Sequence, residues 1–340
     1  GGIALDVQHV RTRLIKSIAG SHPFPSLPNM QATGEIMGLL KHVDSRDLMI
    51  VVVSGGGSAL LCWPHKLKCD DVSAITRVLM AKGATIQELN TVRKHLSEIQ
   101  GGQLARLAYP ATVLGLIFSD VPGDDLSMVA SGPTYLDTTT VADARRVLAK
   151  YHILKACRLP HCDIIETPKD SMFFRHVSNV LIVSNALAAK AMRDEAQRRG
   201  YQARIFSTEL TGEAREVGHM LAHMSRPGEA LIAAGETTVT LRGTGHGGRN
   251  QEAALGALAA VPDDGLVLAC ASDGIDNSLH AGAIADAVTR AHATHPHLSS
   301  ATYLARNNTF PFFAKTGDAI ITGVTGVNVS DLFLSLRAAR

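Results

Sequence analysis

The densest group of residues that can do chemistry lies between residues 235 and 252. The segment GETT at 235–238 is followed by four glycines within 243–248, and RNQE at 249–252 then begins an Ala/Leu-rich helix. Consecutive small residues let backbone N–H groups converge on an anion. An arginine in a first helical turn opposes the helix dipole, and a bound anion would relieve that conflict. The predicted anion ligands are Gly247, Gly248, Arg249 and Asn250.

A second glycine-rich turn, SGGGS at 54–58, directly follows an aliphatic run and precedes a predicted helix. Its glycines permit positive φ, so neighbouring amides can point at one ligand. A cradle for a phosphate or carboxylate and a plain strand-to-helix turn both stay open. The turn has neither the Gly-Lys-Ser/Thr of a Walker loop nor the spacing of a dinucleotide fingerprint. The candidate ligands are Ser54, Gly55, Gly56, Gly57 and Ser58.

Arg93 and Lys94 are adjacent cations inside a predicted helix. Neighbouring residues do not share a helix face, so one of the two is predicted to point inward while the other is solvated. An inward cation suits a substrate carboxylate or a transferring phosphoryl group. Ordinary surface charge is the alternative interpretation.

Carboxylates follow two of the aliphatic runs, at positions where open α/β sheets bind ligands. Asp120 and Asp124 flank a Pro-Gly turn after one run, and the spaced acids Asp273 and Asp276 follow a later one. Acids at such positions suit Mg²⁺ or the proton of a substrate hydroxyl, although aspartate is also common in plain turns. Thr322, in the segment TGVTG, is a further candidate anion contact or part of a bare turn.

Strand-like and helical patterns alternate through most of the chain, which predicts a parallel or mixed sheet covered by helices on both faces. The predicted strands are Leu48–Val53, Ala111–Phe118, Val180–Val183, Gln202–Phe206, Ala230–Ala234 and Leu266–Ala271. The predicted helices are 72–82, 86–99, 141–151 and 186–199. We expect two α/β domains, a Rossmann-like parallel-sheet domain and a smaller one, divided at residues 224/225. The polar stretch 163–176 is the alternative boundary.

Composition excludes several classes of function. The net charge is +2 with no dense Lys/Arg tract, so nucleic acid is not an expected partner. No run of about 18 apolar residues predicts a membrane span. Five scattered cysteines do not form a disulfide framework, and they predict reduced thiols in a cytoplasmic protein. A metal site at Cys157 and Cys162 is disfavoured, because no second ligand pair lies at suitable spacing.

Taken together and in order, the motifs SGGGSALL, LNTVRKHLSEIQGGQLA, SDVPGDD, ASGPT, GETTVTLRGTGHGGRNQE, SDGID and TGVTGVNVSDL resemble the glycerate 2-kinase family with its C-terminal MOFRL domain. The resemblance covers nearly the whole chain, from about residue 20 to 336. It implies a kinase that transfers the γ-phosphoryl of ATP to D-glycerate with Mg²⁺, in a cleft between an N-terminal domain (1–224) and a MOFRL domain (225–338).

Site roles follow from this resemblance as expectations. Lys94 and Arg249 are expected to stabilise the transferring group or bind glycerate, and Asp273 to orient the attacking hydroxyl. Arg93 is expected to bind a phosphate or the substrate. The expected metal ligands are Asp120, Asp124 and Glu236. The expected partners are glycerate and ATP, with neither nucleic acid nor membrane, and a homodimer is the candidate assembly.

This sequence departs from the family pattern in three respects. Family members begin well upstream, with a strand and a Gly-Lys-Ala loop whose lysine is thought to be catalytic, so we expect the chain to be N-terminally incomplete. His246 stands where a basic residue is common, and Asn277 where glycine is common. Two alternatives remain: a hydroxypyruvate reductase-type oxidoreductase, and a non-catalytic remnant that binds glycerate or nucleotide.

Overall fold

The computed structural model describes residues 2–6, 11–119, 121, 123, 125–294 and 297–339. Within these residues the strands are β1 (Gly2–Asp6), β2 (Ile15–Ala19), β3 (Leu48–Val53), β4 (Thr112–Phe118), β5 (Val177–Val183), β6 (Gln202–Leu210), β7 (Glu229–Gly235), β8 (Gly265–Ala271), β9 (Gly282–Asp286), β10 (Ala319–Ile320) and β11 (Asp331–Arg337). The helices are α1 (Leu27–Leu40), α2 (Gly57–Leu60), α3 (Cys69–Ala81), α4 (Ile86–Leu96), α5 (Gln103–Ala108), α6 (Val141–Lys150), α7 (Ile153–Cys157), α8 (Asn185–Arg198), α9 (Ala214–Met224), α10 (Arg249–Ala257), α11 (Ala287–Thr294), α12 (Ser300–Ala305) and α13 (Thr309–Thr316).

These elements form two compact units. The first comprises Gly1–Phe118 and Asp125–Ile182, and the second Ser119–Asp124 and Val183–Arg340. The predicted boundary at 224/225 lies inside the second unit, because β6 pairs with β7 in one sheet. The two compact units thus do not correspond to a division at 224/225, and a boundary between family domains at that position stays a prediction.

The first unit contains a three-stranded sheet of order β3-β4-β5 and a separate parallel pair, β1 and β2. Strands β3 and β4 are parallel, with Leu48 opposite Thr112 and Val53 opposite Ile117. Helices α3, α4, α6 and α7 contribute to an aliphatic core that includes Ile75, Leu79, Val92, Leu96 and Ile153. Burying such side chains is the main stabilising term of a fold of this size. The carboxyl end of β3 leads directly into the turn 54–58.

The second unit contains a six-stranded mixed sheet of order β10-β9-β8-β11-β7-β6. Strands β6 and β7 are parallel, whereas β11 is antiparallel to both of its neighbours, β7 and β8. Every residue of β7 is buried, as its sequence EALIAAG predicts for a central strand. The predicted α/β class is confirmed, and in this unit the sheet is mixed rather than parallel.

All six predicted strands are present, with ends that differ by a few residues. Helix α4 ends at Leu96 rather than Ile99, because Ser97 adopts an extended conformation and its side chain accepts hydrogen bonds from the amides of Ile99 and Gln100. The predicted set did not include β1, β2, β9, β10 and β11. Strands β9 and β11 lie beside segments whose glycines and hydroxyl side chains indicated turns.

The prediction that all five cysteines are reduced thiols is wrong for two of them. Cys62 and Cys69 form a disulfide across the short loop between α2 and α3, with their Cα atoms 6.4 Å apart. The loop returns on itself and brings together two cysteines seven residues apart, which their spacing did not indicate. Cys157, Cys162 and Cys270 are free. No helix in the described part of the chain is long and apolar enough to cross a membrane.

Candidate functional site

Three chain segments meet at one edge of the second unit's sheet. Asp331, the first residue of β11, lies opposite Gly235, the last residue of β7, and opposite Ala271, the last residue of β8. Because β11 runs antiparallel to both neighbours, its beginning shares an edge with their ends. Glu236 follows β7 and Asp273 comes shortly after β8, so both lie at the same edge of the sheet as Asp331.

Arg249 connects this edge to helix α10. Its Nε lies 2.5 Å and its Nη2 3.2 Å from the two carboxylate oxygens of Asp331. Its Nη1 lies 2.8 Å from Oε1 of Glu236. Two acids from different strand ends thus fix the plane of the guanidinium, and the predicted grouping of Glu236 with Arg249 has a geometric basis.

The two acids differ in their exposure to solvent. The side chain of Glu236 is 50% exposed, whereas that of Asp331 is completely buried. Burial raises the pKa of Asp331 to about 6, although the hydrogen bonds and the charge of Arg249 act in the opposite direction. Asn250 also donates to Asp331, at 2.8 Å. The carboxylate is therefore surrounded by donors and still costs free energy to ionise.

The N-terminus of α10 already has an anion, and it belongs to the protein. The Asp276 carboxylate accepts the backbone N–H of Asn250 at 3.0 Å and that of Gln251 at 2.9 Å. The side-chain amides of both residues also donate to Asp276. Gly248 permits this approach, because a Cβ atom there would lie 2.2 Å from the backbone oxygen of Asp276. The charge conflict at Arg249 is thus relieved by Asp276 and Asp331.

The glycine-rich loop 243–248 directs several of its amides at protein acceptors. Oδ1 of Asn307 accepts the N–H groups of Arg242 and Gly243, at 2.6 and 3.1 Å. Gly245 donates to a backbone oxygen, and His246 to the side chain of Asn308. The imidazole of His246 packs against Phe310. These amides position the loop, and binding of a phosphate by Gly247 and Gly248 stays a prediction.

Asp273 and Thr322 lie in two loops that touch. A Cβ atom on Gly274 would come within 1.9 Å of a backbone oxygen of Gly323, so only glycine permits this approach. The amide of Thr325 donates to the backbone oxygen of Asp273 at 3.0 Å. Oδ1 of Asp273 accepts the amide of Ile275, as expected for an Asp-Gly turn. Among the described donors, its second carboxylate oxygen has no partner.

The turn 54–58 in the first unit differs from the loop 243–248 in the hydrogen bonding of its backbone amides. The amides of Gly55, Gly56 and Ser58 meet no acceptor within the described residues. Gly56 has φ +79°, a conformation that favours glycine, and the His22 ring lies beside it. The Ser58 hydroxyl lies 3.0 Å from that of Ser131, which in turn donates to Asn90 of α4.

The adjacent cations of α4 have separate surroundings: one points inward as predicted, whereas the other is half-buried rather than solvated. Lys94 is 4% exposed, and its Nζ lies 3.0 Å from Asp137, which also accepts hydrogen bonds from Thr139 and Thr167. Arg93 is half-buried, and no acid in the described ranges pairs with it. Burial lowers the pKa of Arg93. The inward residue is therefore engaged in an ion pair, and Arg93 is the cation of the two that a ligand can use.

The predicted metal ligands are only partly described. Asp120 and Asp124 lie outside the described residues. No group of three or more His, Cys, Asp or Glu side chains in the described ranges is arranged to hold a metal ion. Glu236 has one carboxylate oxygen on Arg249, and its other oxygen has no donor there. It can therefore act as one ligand of an ion that is held mainly by other groups.

Asp331 and Asp276 were not identified as site residues from the sequence. Both were part of recognised segments, NVSDL and SDGID, but neither was singled out. The available signal is that Asp331 is a charged residue immediately before the apolar run of β11, a position where burial requires a partner. Asp276 was noted only as one of the spaced acids of SDGID, and its contact with α10 was not predictable because it depends on the packing of a loop.

Comparison with known proteins gives matches to two family models. One, described as a domain of unknown function (DUF4147), matches residues 2–161, and the other, the MOFRL family, matches residues 229–331. A glycerate 2-kinase of Pyrococcus horikoshii is 36% identical over 95% of this chain and 78% of its own length. A putative hydroxypyruvate reductase of Agrobacterium vitis is 35% identical over 94% of this chain and 76% of its own.

Solved structures show the same similarity. The crystal structure of glycerate kinase from Thermotoga maritima superposes with a TM-score of 0.90 at 30% identity, and the match covers 99% of this chain and 91% of that one.

Proposed function

We propose, since this chain belongs to the glycerate 2-kinase family, that it transfers the γ-phosphoryl group of ATP to the C2 hydroxyl of D-glycerate. The products are 2-phosphoglycerate and ADP. The hydroxyl oxygen forms a bond to the γ-phosphorus, the bond to the β–γ bridging oxygen breaks, and the hydroxyl proton leaves to a base. Such a transfer depends on positioning and on neutralising charge.

The observation that carries this proposal is the state of Arg249. A guanidinium has five N–H donors. Three of those of Arg249 are directed at Asp331 and Glu236, and two have no acceptor within the described residues. Two donors on a cation held between carboxylates suit the oxygens of a phosphoryl group. The free carboxylate oxygen of Asp273 is the candidate to receive or orient the substrate hydroxyl.

Arg93 is the candidate for the carboxylate of glycerate or for an ATP phosphate. It is a half-buried cation without an acid partner in the described chain, and burial strengthens its attraction for an anion. Asn90, on the same helix, is linked through Ser131 to Ser58 in the turn 54–58. The unpartnered amides of that turn make it the preferred anion cradle in the first unit. A phosphoryl role for Lys94 stays a prediction, and its ion pair with Asp137 counts against it.

Mg²⁺ is part of the proposal because it neutralises the phosphates of ATP. Mg²⁺ is commonly bound by one or two carboxylates, with phosphates and waters completing its shell. Glu236 fits this requirement through its second carboxylate oxygen, which accepts no hydrogen bond from the described residues. Asp120 and Asp124 stay predicted ligands. A cytoplasmic location and a homodimer likewise rest on the sequence alone.

The direct test measures ADP release with ATP, Mg²⁺ and D-glycerate, on this chain and on a form extended upstream. Added enolase identifies the product, because it dehydrates 2-phosphoglycerate and not 3-phosphoglycerate. We expect glycerate-dependent ADP release together with enolase-dependent absorbance. No turnover in either form, with glycerate and ATP still bound in calorimetry, would instead favour a non-catalytic binding protein.

A reductase acting on hydroxypyruvate is the second candidate, and the similarity to the Agrobacterium vitis protein favours it. The turn 54–58 lacks the spacing of a dinucleotide fingerprint, which argues against this activity. Nicotinamide absorbance at constant protein and varied hydroxypyruvate separates the two. A substrate-dependent decrease would replace the kinase proposal, and a flat trace would remove the reductase.

A further inference from the structure

A carboxylate at the position of Asp331 lowers the stability of the fold unless its lost hydration is compensated. Asp331 lies between two strands, β7 and β8, in the interior of the sheet, and its side chain has no exposure to solvent. A buried carboxylate destabilises a protein unless good geometry compensates for its lost hydration. A purely structural role is therefore a poor explanation for an acid there.

The contacts of Asp331 all lead to the start of α10. Both oxygens bind Arg249, and Oδ1 also accepts the amide of Asn250. The amide of Asn250 is in turn shared with Asp276, the acid at the helix N-terminus. The backbone of Asp331 is fixed by its neighbours in the sheet, so the direction of the guanidinium is fixed relative to the sheet rather than to a loop.

The other end of β11 takes part in a second Arg–Asp pair, in which the burial of the two partners is different. There Nη2 of Arg337 donates to both carboxylate oxygens of Asp264 at 2.9 Å, and its Nε donates to Oδ1 at 3.1 Å. There the acid is 32% exposed and the arginine 18%. At the Asp331 end the order is reversed: the acid is buried, and the arginine is 35% exposed. The exposed group is thus the cation, with two N–H donors that no described residue accepts.

We propose that Asp331 is a positioning residue for phosphoryl transfer, which acts by holding the Arg249 guanidinium so that its two remaining N–H donors face the transferring group. This inference rests on the proposed function. It goes beyond that function in assigning the orientation of the cation to a buried acid that does not touch substrate.

The test compares Asp331→Asn, Arg249→Ala and the double variant by steady-state kinetics. We expect Asp331→Asn to lower kcat by about 10- to 100-fold while KM for glycerate changes less than about threefold, because the interaction acts in the transition state. In the Arg249→Ala background the same change should have less than about a twofold effect. Asp264→Asn is the matched control and should stay within about twofold of the parent.

Losses that multiply in the double variant, or an Asp331→Asn enzyme with unchanged kcat, would overturn the positioning role. If the single variant does not fold, the double variant still reports, because it removes the arginine together with its buried acid partner. Its activity should then equal that of Arg249→Ala.

A second readout does not require turnover, and so separates failure of this inference from failure of the proposed function. In ¹⁵N-arginine-labelled protein the Nε–H signal of Arg249, assigned by its loss in Arg249→Lys, should exchange slowly with water. Asp331→Asn should accelerate that exchange at least about tenfold, and Asp264→Asn should not. Unchanged exchange in Asp331→Asn would overturn the inference even in an active kinase.

Discussion

The turns 54–58 and 243–248 are both glycine-rich, and each lies between a strand and a helix, but their backbone amides differ in whether the protein supplies acceptors for them. In the first turn, the amides of Gly55, Gly56 and Ser58 have no acceptor within the described residues. In the second, the side chains of Asn307 and Asn308 and the backbone of Arg306 accept amides of the loop, and Asp276 accepts those of the following helix.

Glycine content therefore predicts which backbone conformations a turn can adopt. It does not predict which acceptors the amides of the turn bind. Small residues allow amides to converge in both turns. Whether an external ligand is needed depends on acceptors that arrive from elsewhere in the chain, such as Asp276. We therefore expect changes near the first turn to weaken ligand binding, and changes in the second turn to lower stability. Arg249, which follows the second turn as the first residue of α10, is the exception, because two of its N–H donors have no acceptor in the described part of the chain.

The largest effect is expected for this exception. Arg249→Ala should lower kcat about 10³-fold, equivalent to about 4 kcal/mol, because it removes the cation proposed to stabilise the transferring group. Arg242→Ala, at the residue immediately before the loop 243–248, is the control and should stay within about threefold. The measurement is ADP release at saturating substrates. Equal, small losses in both variants would place Arg249 with the structural part of its loop.

The adjacent cations of α4 should separate stability from ligand binding. Lys94→Met leaves Asp137 buried without its closest cation and should cost about 3 kcal/mol of unfolding free energy, since unpaired buried charges are strongly destabilising. Arg93→Met should change unfolding free energy by less than about 0.5 kcal/mol, because no described acid loses a partner.

For enzyme kinetics we expect the reverse order, with a larger effect in Arg93→Met than in Lys94→Met. Arg93→Met is expected to raise KM for glycerate or ATP at least about tenfold, as loss of a charged contact to an anion does. Urea denaturation and steady-state kinetics on both variants check the pair. A normal KM in Arg93→Met would show that this half-buried cation has no ligand.

These residues also show which features of the fold and the site could be predicted from the sequence. Strand β3 and the turn after it were predictable, because an aliphatic run followed by glycines has a local signature. The separate environments of Arg93 and Lys94 followed from helix geometry. The pairing of Arg249 with Asp331 was not predictable, because it needs the register of β11 against β7, which joins residues far apart in sequence.

A glycine substitution gives the next effect in size and tests the second turn directly. A Cβ atom at Gly248 would lie 2.2 Å from the backbone oxygen of Asp276, so Gly248→Ala must displace the acid that caps α10. We expect a loss of about 3 kcal/mol of unfolding free energy, from overpacking and a lost cap together.

Gly38→Ala is the matched control, because a Cβ atom there meets nothing within 4 Å and the residue lies in helix α1. That change should stabilise the protein by about 0.5 kcal/mol, as alanine does in helices. If Gly248→Ala were as stable as the parent and lost only affinity for ATP, the loop would bind phosphate and the contrast between the two turns would disappear.

The smallest effect concerns the pH dependence of stability. Burial raises the pKa of Asp331 to about 6 from an ordinary value of 3.8. An acid whose folded-state pKa is raised stabilises the fold in its protonated form, and that contribution is lost as pH rises through the folded-state pKa. Relative to Asp331→Asn, the parent protein should therefore lose about 2 kcal/mol of unfolding free energy between about pH 4 and pH 7. Urea denaturation of both proteins across this range measures the difference. A constant difference would mean that Arg249 and Asn250 compensate fully for burial, so that Asp331 could be retained for stability alone, as Asp264 can at the other end of β11.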